Sequence, residues 1–405
     1  MEVFVARQPI FNRQQKVYGY ELLYRLGMDN FYNNPAGDGD RATSEVIANS
    51  FLLIGLDALT GGKRAFINFT ENLLKNEVAT ILPKEVVAIE ILENIEVDDK
   101  VVNACIKLKK LGYPLVLDDF VLDERFKPLV ELADIIKIDF MECDIREKMD
   151  VIRRFGSAGV QLLAEKVETT EMFKEAFEMG YSYFQGYFFS RPIILTGQDI
   201  PGYKINYLQA LEEVNRPEMD FDRLEGIIKR DVSLSYKLLK YINSAAFGFR
   251  SKIDSIKHAL VLLGIQEIKN WVSLIILRGM GEDKPDEITT SSILRAKFSE
   301  LIAPKVGLQE RSSDLFLMGM FSMIDALISR PMTDILDELP IAEDIKRALL
   351  GKECRYRDLY ELILAYEKGN WEEFSALATR IKLDEAEVPK IYLQSLAWAN
   401  QVMQL

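Results

Sequence analysis

The chain has 405 residues, and its 63 acidic side chains outnumber the 50 basic ones, which gives a net charge of −13. With 48% hydrophobic and 28% charged residues, the composition excludes a disordered chain and fits a globular protein long enough for two or three domains. The acidic surplus argues against broad nucleic-acid binding, because that affinity comes mostly from Lys and Arg contacts to phosphates.

The numbers of histidines and cysteines limit the metal chemistry that is open to this chain. The single histidine, His258, excludes any metal site that needs two histidines, and a Ser-His-Asp triad would have to use it. Cys105, Cys143 and Cys354 have no CxxC spacing, which argues against a disulfide scaffold and a cysteine zinc site. A catalytic metal would need carboxylate and amide ligands, which favours Mg²⁺ or Mn²⁺.

The N-terminal sequence and the hydropathy pattern bear on where the protein works. The first residues lack the basic region and the apolar stretch of a signal peptide. No apolar run approaches the roughly 18 residues that a membrane span requires. We therefore expect a cytoplasmic protein that contacts neither membrane nor nucleic acid.

Residues 1–195 have the pattern of strands that alternate with helices. Amphipathic stretches such as Asp99–Leu111 separate short apolar, β-branched runs. These runs are residues 3–6, 17–23, 64–69, 86–91, 115–117, 135–138, 160–164 and 183–188. Their spacing of roughly 20–30 residues is typical of βα units around a mostly parallel sheet, and it predicts an α/β fold, a (β/α)₈ barrel of the TIM type.

The pattern changes after Pro192. Residues 196–204 collect turn formers without periodicity, and we predict a linker there. From residue 205 to residue 405 the strand-like runs disappear and helical periodicity replaces them. The chain is therefore predicted to place a barrel domain, residues 1–195, before an all-helical domain.

Polar residues interrupt the predicted barrel strands near their carboxyl ends, where the catalytic side chains of such barrels lie. They are Glu21, Asn68, Glu90, Asp118, Asp119, Lys137, Glu165 and Gln185. Taken singly, each of them could be a cap, a turn or a surface residue. As a set they predict carboxylates that converge on one barrel mouth and need divalent cations to offset their repulsion. The adjacent Asp118 and Asp119 suit a two-metal site of the kind that splits phosphodiesters.

The sequence around the second predicted strand resembles the signature of a known family. Tyr18–Arg25 is similar to the motif of EAL domains, the cyclic di-GMP phosphodiesterases, with Leu22 in place of the alanine. The likeness extends over residues 1–193, in motifs that follow in the family's order: Arg7–Ile10, Glu90–Glu93, Leu117–Phe120, Ile136–Asp139, Ala164–Thr169 and Gln185–Pro192. The resemblance implies an EAL-type barrel that hydrolyses cyclic di-GMP to linear pGpG.

The resemblance also implies a set of metal ligands. Glu21, Asn68, Glu90 and Asp118 match the ligands of one metal ion, with Asp118 shared between that ion and a second one. Asp119 matches a ligand of the second ion. The expected cofactor is therefore a pair of Mg²⁺ or Mn²⁺ ions.

Further matching positions imply catalytic and substrate-binding roles. Lys137 resembles the lysine that positions the attacking water, and Glu165 and Gln185 resemble groups near the second metal and its water. The residues that match substrate-binding positions are Arg25 at a phosphate, Leu23 at a ribose and Gln8 at a guanine edge.

The segment after Phe120 departs from the family. Active members continue with Gly-Thr-Gly-Tyr-Ser-Ser, whereas Val121–Phe126 reads Val-Leu-Asp-Glu-Arg-Phe. Without the glycines the loop must take another path, and we expect Leu122 or Phe126 to pack against a neighbouring helix or the second domain. In the family this loop supports the second metal and dimerisation, and Glu93 matches the glutamate that anchors it. We therefore expect a weak second metal site and a need for high Mg²⁺ or for Mn²⁺, and a homodimer stays open.

The second half also contains a recognisable pattern. Asp231–Ala246 and Ile253–Gly264 resemble an HDOD domain, a module related to HD phosphohydrolases. Those hydrolases hold metals with several histidines and aspartates, whereas this half has His258 alone and no His-Asp pair. We therefore expect a signalling module that binds a protein partner and has no hydrolytic site.

Three hypotheses remain open from the sequence. The leading one is a cyclic di-GMP phosphodiesterase, whose barrel cleaves the dinucleotide and whose helical domain regulates it or transmits its output. The second is a catalytically weak or inactive receptor that binds cyclic di-GMP, which the altered loop favours. The third is an interaction protein with neither ligand nor catalysis, which the clustered carboxylates disfavour, because such a scaffold has no physical need for them.

Overall fold

A computed structural model describes most of the chain as two compact units. The described residues are 3–26, 56–118, 124–141, 145–155, 159–188, 209–216, 218–230, 232–243, 253–280, 284–328, 330–339 and 341–404. The first unit holds those of Met1–Arg191 and Leu362–Ala397, and the second holds those of Pro192–Glu361 and Trp398–Leu405. Within these ranges, no helix is long and apolar enough to cross a membrane.

Eight strands close into a barrel in the order β1 to β8. The strands are β1 (Val3–Asn12), β2 (Val17–Leu26), β3 (Arg64–Phe69), β4 (Val87–Ile91), β5 (Leu115–Leu117), β6 (Ile135–Asp139), β7 (Gln161–Glu165) and β8 (Tyr183–Gln185). The helices described between them are α1 (Leu56–Thr60), α2 (Glu71–Lys75), α3 (Asp99–Leu111), α4 (Lys127–Val130), α5 (Ile145–Phe155) and α6 (Thr170–Glu178). The predicted barrel is therefore confirmed.

The first strand runs antiparallel to both of its neighbours. β1 pairs antiparallel with β2 and with β8, whereas each pair from β2–β3 to β7–β8 is parallel. The connection from β1 to β2 is residues 13–16, far shorter than the dozen or so residues that a parallel crossover needs. The side chain of Asn12 accepts hydrogen bonds from the amides of Gln14 and Lys16 and so holds this turn.

Local signals in the sequence set the bounds of α3, the longest described helix of the barrel. The Asp98 side chain accepts a hydrogen bond of 2.9 Å from the Val101 amide and caps the N-terminus. Gly112 ends the helix in the left-handed region, at a φ of 92°. The helix buries Val101, Cys105 and Leu108 against the barrel side and thereby covers the sheet.

The remaining described elements are helical. They are α7 (Phe221–Lys229), α8 (Val232–Ile242), α9 (Ile256–Met280), α10 (Asp286–Ile302), α11 (Ser312–Phe321), α12 (Ile324–Ile328), α13 (Met332–Glu338), α14 (Glu343–Leu349), α15 (Arg357–Glu367), α16 (Trp371–Ile381) and α17 (Val388–Gln404). Gly264 interrupts α9 with a φ of 72°. Helices α10 and α11 approach closely at Gly319, where an added Cβ would lie 2.3 Å from the Arg295 backbone.

One part of the predicted domain division differs from the contacts in the structure. The predicted linker, residues 196–204, lies outside the described residues. Residues 362–397, which we call the C-terminal segment, were assigned with 205–405 to the helical domain but group with the barrel. The reason is an aromatic cluster, in which Phe4 of β1 contacts Trp371 and Phe374 of α16 with ring centroids 6.1 and 6.0 Å apart.

Candidate active site

The barrel interior has an apolar layer with a polar layer beside it. The apolar layer consists of Ile10, Phe66, Ala88, Val116, Ile135, Leu163 and Tyr183. Side chains two positions apart on a strand share a face, so each of these strands places its next inward side chain one layer away. Two positions from these seven residues, in the same order, stand Gln8, Asn68, Glu90, Asp118, Lys137, Glu165 and Gln185. The polar layer therefore lies at the carboxyl ends of β3 to β8, which we call the barrel mouth.

Lys137 lies at the centre of this polar layer. Its ammonium nitrogen is 2.6 Å from Asp118 Oδ1 and 2.7 Å from Glu165 Oε1. It is also 3.1 Å from Glu90 Oε1 and 3.3 Å from Glu21 Oε2. Since the Lys137 side chain is 1% exposed, one buried cation compensates four carboxylates from four different strands or strand ends.

Amide side chains complete the polar layer on the side of β1 and β2. Asn68 Nδ2 donates to Glu21 Oε1 at 3.3 Å, and Gln185 Nε2 donates to Glu21 Oε2 at 2.6 Å. Gln185 Nε2 also donates to Gln8 Oε1 at 3.1 Å. The sequence positions 8, 21, 68 and 185 therefore meet in one hydrogen-bonded group.

Burial and mutual repulsion perturb the carboxylates unequally. Desolvation, with repulsion from its neighbours, raises the pKa of Glu90 well above its ordinary value and raises that of Glu165 to about 8. Burial also acts on Glu21, but there Lys137 and the Gln185 hydrogen bond prevail and lower the pKa. The four carboxylates outweigh desolvation at Lys137 and hold its pKa well above the usual range.

The donor set fits a divalent cation by charge and by chemistry. When all four are ionised, Glu21, Glu90, Asp118 and Glu165 carry four negative charges against the one positive charge of Lys137, an excess that a bound divalent cation would offset. Within the part of the chain that the structure describes, neither carboxylate oxygen of Glu90 accepts a hydrogen bond although the residue is 0% exposed, and its ion-pair partner there is the Lys137 ammonium at 3.1 Å. Buried carboxylate oxygens without donors are costly, and Mg²⁺ and Mn²⁺ prefer such ligands. Among the described residues, no group of three acidic, cysteine or histidine side chains lies close enough together to coordinate a metal ion. The Lys137 ammonium occupies the space between the carboxylates.

Other predicted site residues are described only in part. Arg25 lies in β2 opposite Phe4 of β1, but its side chain is outside the described structure, as is Asp119 altogether. Leu23 is half-buried in β2. Glu93 is exposed in the turn after β4, and most of the loop it was predicted to anchor lies outside the described residues.

Described residues of the altered loop begin at Glu124. Glu124–Phe126 forms a short 3₁₀ turn before α4. Arg125 is exposed, and Phe126 is half-buried. The predicted packing of Leu122 falls outside the described residues.

Sequence reasoning missed the residues that the C-terminal segment brings to the mouth. Gln8 Nε2 donates to the Lys368 carbonyl at 3.3 Å, and Gly369 lies against Leu23. These partners are about 360 positions apart in the chain, and no local motif marks Lys368 or Gly369. Only the tertiary packing of α15 and α16 reveals them.

The eight-stranded barrel and the carboxylates at its mouth fit the EAL-type barrel that the sequence motifs predict, and the family models and relatives agree. The EAL domain matches residues 50–192, and the HDOD domain matches residues 200–335. YuxH of Bacillus subtilis, described as uncharacterized, is 40% identical over 100% of this chain and 99% of its own length. CdgJ of Vibrio cholerae, named a cyclic di-GMP phosphodiesterase, is 34% identical over 99% of this chain and 93% of its own length. The chain therefore belongs to the family of proteins in which an EAL domain precedes an HDOD domain.

The chain is also similar to solved structures. BlrP1 of Klebsiella pneumoniae, in a complex with calcium and cyclic di-GMP, is 25% identical over 47% of this chain and 56% of that chain, at a TM-score of 0.40. The same protein in a complex with manganese and cyclic di-GMP is 24% identical over 46% of this chain and 55% of that chain, at a TM-score of 0.38.

Proposed function

We propose that the barrel hydrolyses cyclic di-GMP to linear pGpG with two divalent cations, Mg²⁺ or Mn²⁺. The observation that carries the proposal is the cluster of four buried carboxylates around Lys137 at the barrel mouth. A scaffold protein has no use for such a cluster, because buried like charges destabilise the fold. The relationship to CdgJ, which is named a cyclic di-GMP phosphodiesterase, supports cyclic di-GMP as the substrate.

The residues that would hold the first cation are Glu21, Asn68, Glu90 and Asp118, and Asp119 would bind the second. Bound there, the cations would neutralise the negative charge that develops on the phosphodiester. The proposal of a cation is supported by Glu90, whose buried carboxylate oxygens accept no hydrogen bond from the described residues.

This chain's own side chains would bind and orient the reactants. Lys137 carries N–H donors in the middle of the cluster and would hold the attacking water by a hydrogen bond. Glu165 Oε1 lies 2.7 Å from the Lys137 ammonium, within reach of a water held there, and would exchange a proton with it. Gln185 fixes the Glu21 carboxylate and so orients it for its ligand role.

The test is a hydrolysis assay on metal-stripped full-length protein to which Mg²⁺ or Mn²⁺ is returned. Linear pGpG is expected with the metal and none with chelator. Glu21→Ala and Glu90→Gln should lower the rate by at least about a hundredfold, since each removes a ligand. Glu178→Gln, at an exposed position on α6, is the matched control and should keep the rate of the unmodified protein.

Binding measured in Ca²⁺ separates the hypotheses. Tight binding of cyclic di-GMP without product in either Mg²⁺ or Mn²⁺ would show a receptor and overturn the enzyme. Neither binding nor hydrolysis would show an interaction protein. We further propose that the HDOD domain binds a protein partner, which would be identified by co-purification with wild-type protein and its loss with residues 205–335 altered.

A further inference from the structure

The C-terminal segment contacts β1 beyond the residues that pair with β8. Among the described residues, β8 pairs with β1 only at Ile10–Asn12. Nearer the mouth, the buried Tyr366 hydroxyl donates to the Val5 carbonyl of β1 at 3.2 Å. The segment is therefore fixed to the barrel by hydrogen bonding as well as by its aromatic cluster.

The turn between α15 and α16 reaches two residues that were assigned to substrate binding. The carbonyl of Lys368 accepts the hydrogen bond of 3.3 Å from Gln8 Nε2. Gly369 has a φ of 67°, and an added Cβ there would lie 2.9 Å from Leu23 Cδ1. The turn, Lys368–Asn370, thus touches Gln8 on β1 and Leu23 on β2.

The contact at Gln8 continues to a predicted metal ligand. Gln8 Oε1 accepts from Gln185 Nε2 at 3.1 Å, and the same nitrogen donates to Glu21 Oε2 at 2.6 Å. Since the amide nitrogen of Gln8 is bound to Lys368, its oxygen is turned toward Gln185. The turn therefore determines the orientation of Gln8 at the mouth.

The turn also carries a positive charge to the rim of an acidic mouth. The exposed Lys368 ammonium lies 5.5 Å from the ring centroid of Tyr187, two residues beyond the end of β8. Cyclic di-GMP has two anionic phosphodiesters, and the four carboxylates of the mouth repel them. Cations at the rim reduce this repulsion. A lysine beside an aromatic ring can bind a phosphate of the ligand while the ring stacks on one of its bases.

We propose that the turn Lys368–Asn370 forms one wall of the substrate site, in which Lys368 binds a phosphate of the cyclic dinucleotide and orients Gln8. This inference rests on the proposed function and adds to it a substrate contact from outside both matched domains. The effect belongs to binding rather than to the chemical step, because the turn contacts the predicted substrate-binding residues Gln8 and Leu23, and its described link to the predicted metal ligand Glu21 runs through Gln8 and Gln185.

The proposed contact between the Lys368 ammonium and a phosphate is tested with Lys368→Met. Lys390→Met is the control, because it removes another exposed lysine of the same segment. Lys368→Met should raise the KM for cyclic di-GMP, and the Kd in Ca²⁺, by about tenfold, with kcat within about twofold. The difference from Lys390→Met should shrink as salt rises. Equal KM values for the two variants would overturn the phosphate contact.

The wall is tested by Gly369→Ala against Gly351→Ala. Both glycines have a φ of 67°, but an added Cβ at Gly351 meets nothing within 4 Å, so the control has the same backbone strain without the contact. Gly369→Ala should raise the KM for cyclic di-GMP severalfold, whereas Gly351→Ala should leave it unchanged. A lower KM would show that the turn obstructs the site and would overturn the inference. Wild-type protein that neither binds nor cleaves cyclic di-GMP would overturn the proposed function itself. If the wild type is active but Lys368→Met and Gly369→Ala have the same KM as their controls, this inference alone is overturned.

Discussion

The ammonium of Lys137 lies 2.6 Å from the Asp118 carboxylate, at a point on which three further carboxylates converge. The lysine therefore supplies the positive charge that a divalent cation would otherwise supply. A lysine and a metal that compensate the same carboxylates are expected to compete energetically. This relationship leads to a test that does not depend on turnover.

Replacing Lys137 should make the stability of the protein more dependent on metal. In metal-free buffer Lys137→Met should lower the free energy of unfolding by about 3–5 kcal/mol, since it leaves buried carboxylates uncompensated. Added Mg²⁺ should then raise the Tm of Lys137→Met more than that of wild type, because stabilisation by a native-state ligand increases with the logarithm of the ratio of its concentration to its Kd, and the variant should have the lower Kd. The measurement is a thermal scan over a Mg²⁺ series.

Lys107→Met is the control for that experiment. Lys107 pairs with Glu77, but both side chains are about half exposed, and such pairs contribute about 0–1 kcal/mol. Its Tm should respond to Mg²⁺ as wild type does. Equal Mg²⁺ shifts in Lys137→Met and wild type would contradict the competition.

Most of the barrel and its mouth could be predicted from the sequence. A polar residue within a short apolar run is easy to recognise, and side chains that alternate along a strand place it in the barrel interior. Glu90 within Val87–Ile91 is such a case. Lys137 was predicted as part of the set, but its central position depends on side-chain reach across the barrel. The antiparallel β1 could have been inferred from its short connection to β2. The role of the turn at Lys368 could not be predicted, because no sequence motif distinguishes this turn from other connections between helices.

The metal-free protein should become less stable as the pH rises from about 4.5 to about 8. Burial raises the folded-state pKa of Glu165 from an ordinary 4.5 to about 8, so the native state keeps a proton there that the unfolded state has lost. Because the native state then binds more protons, its stability falls with increasing pH in this window. Urea unfolding in chelating buffer at several pH values measures the effect.

Glu165→Gln provides the comparison for the pH series. The amide cannot titrate, so the unfolding free energy of wild type relative to Glu165→Gln should decrease between about pH 4.5 and pH 8. Parallel curves for the two proteins would show that Glu165 titrates normally in the folded state.

Cys105 should resist alkylation in the native protein. It is 0% exposed on α3, and burial raises the pKa of its thiol to about 12. At pH 8 about one thiol in ten thousand would be ionised, and the thiolate is the reactive form. Iodoacetamide treatment followed by peptide mapping should label the half-buried Cys354 first and Cys105 only after urea is added. Labelling of both at one rate in native buffer would contradict the buried position.

The C-terminal segment should contribute strongly to the stability of the barrel unit. Phe374 is 0% exposed, and its ring centroid is 6.0 Å from that of Phe4 and 5.3 Å from that of Tyr366. Phe374→Ala removes these contacts and leaves a cavity, which should cost about 3–5 kcal/mol in urea unfolding. Leu111→Ala, on the exposed side of α3, should cost less than about 0.5 kcal/mol. If the two variants unfold at the same urea concentration, the aromatic cluster does not hold the segment on β1.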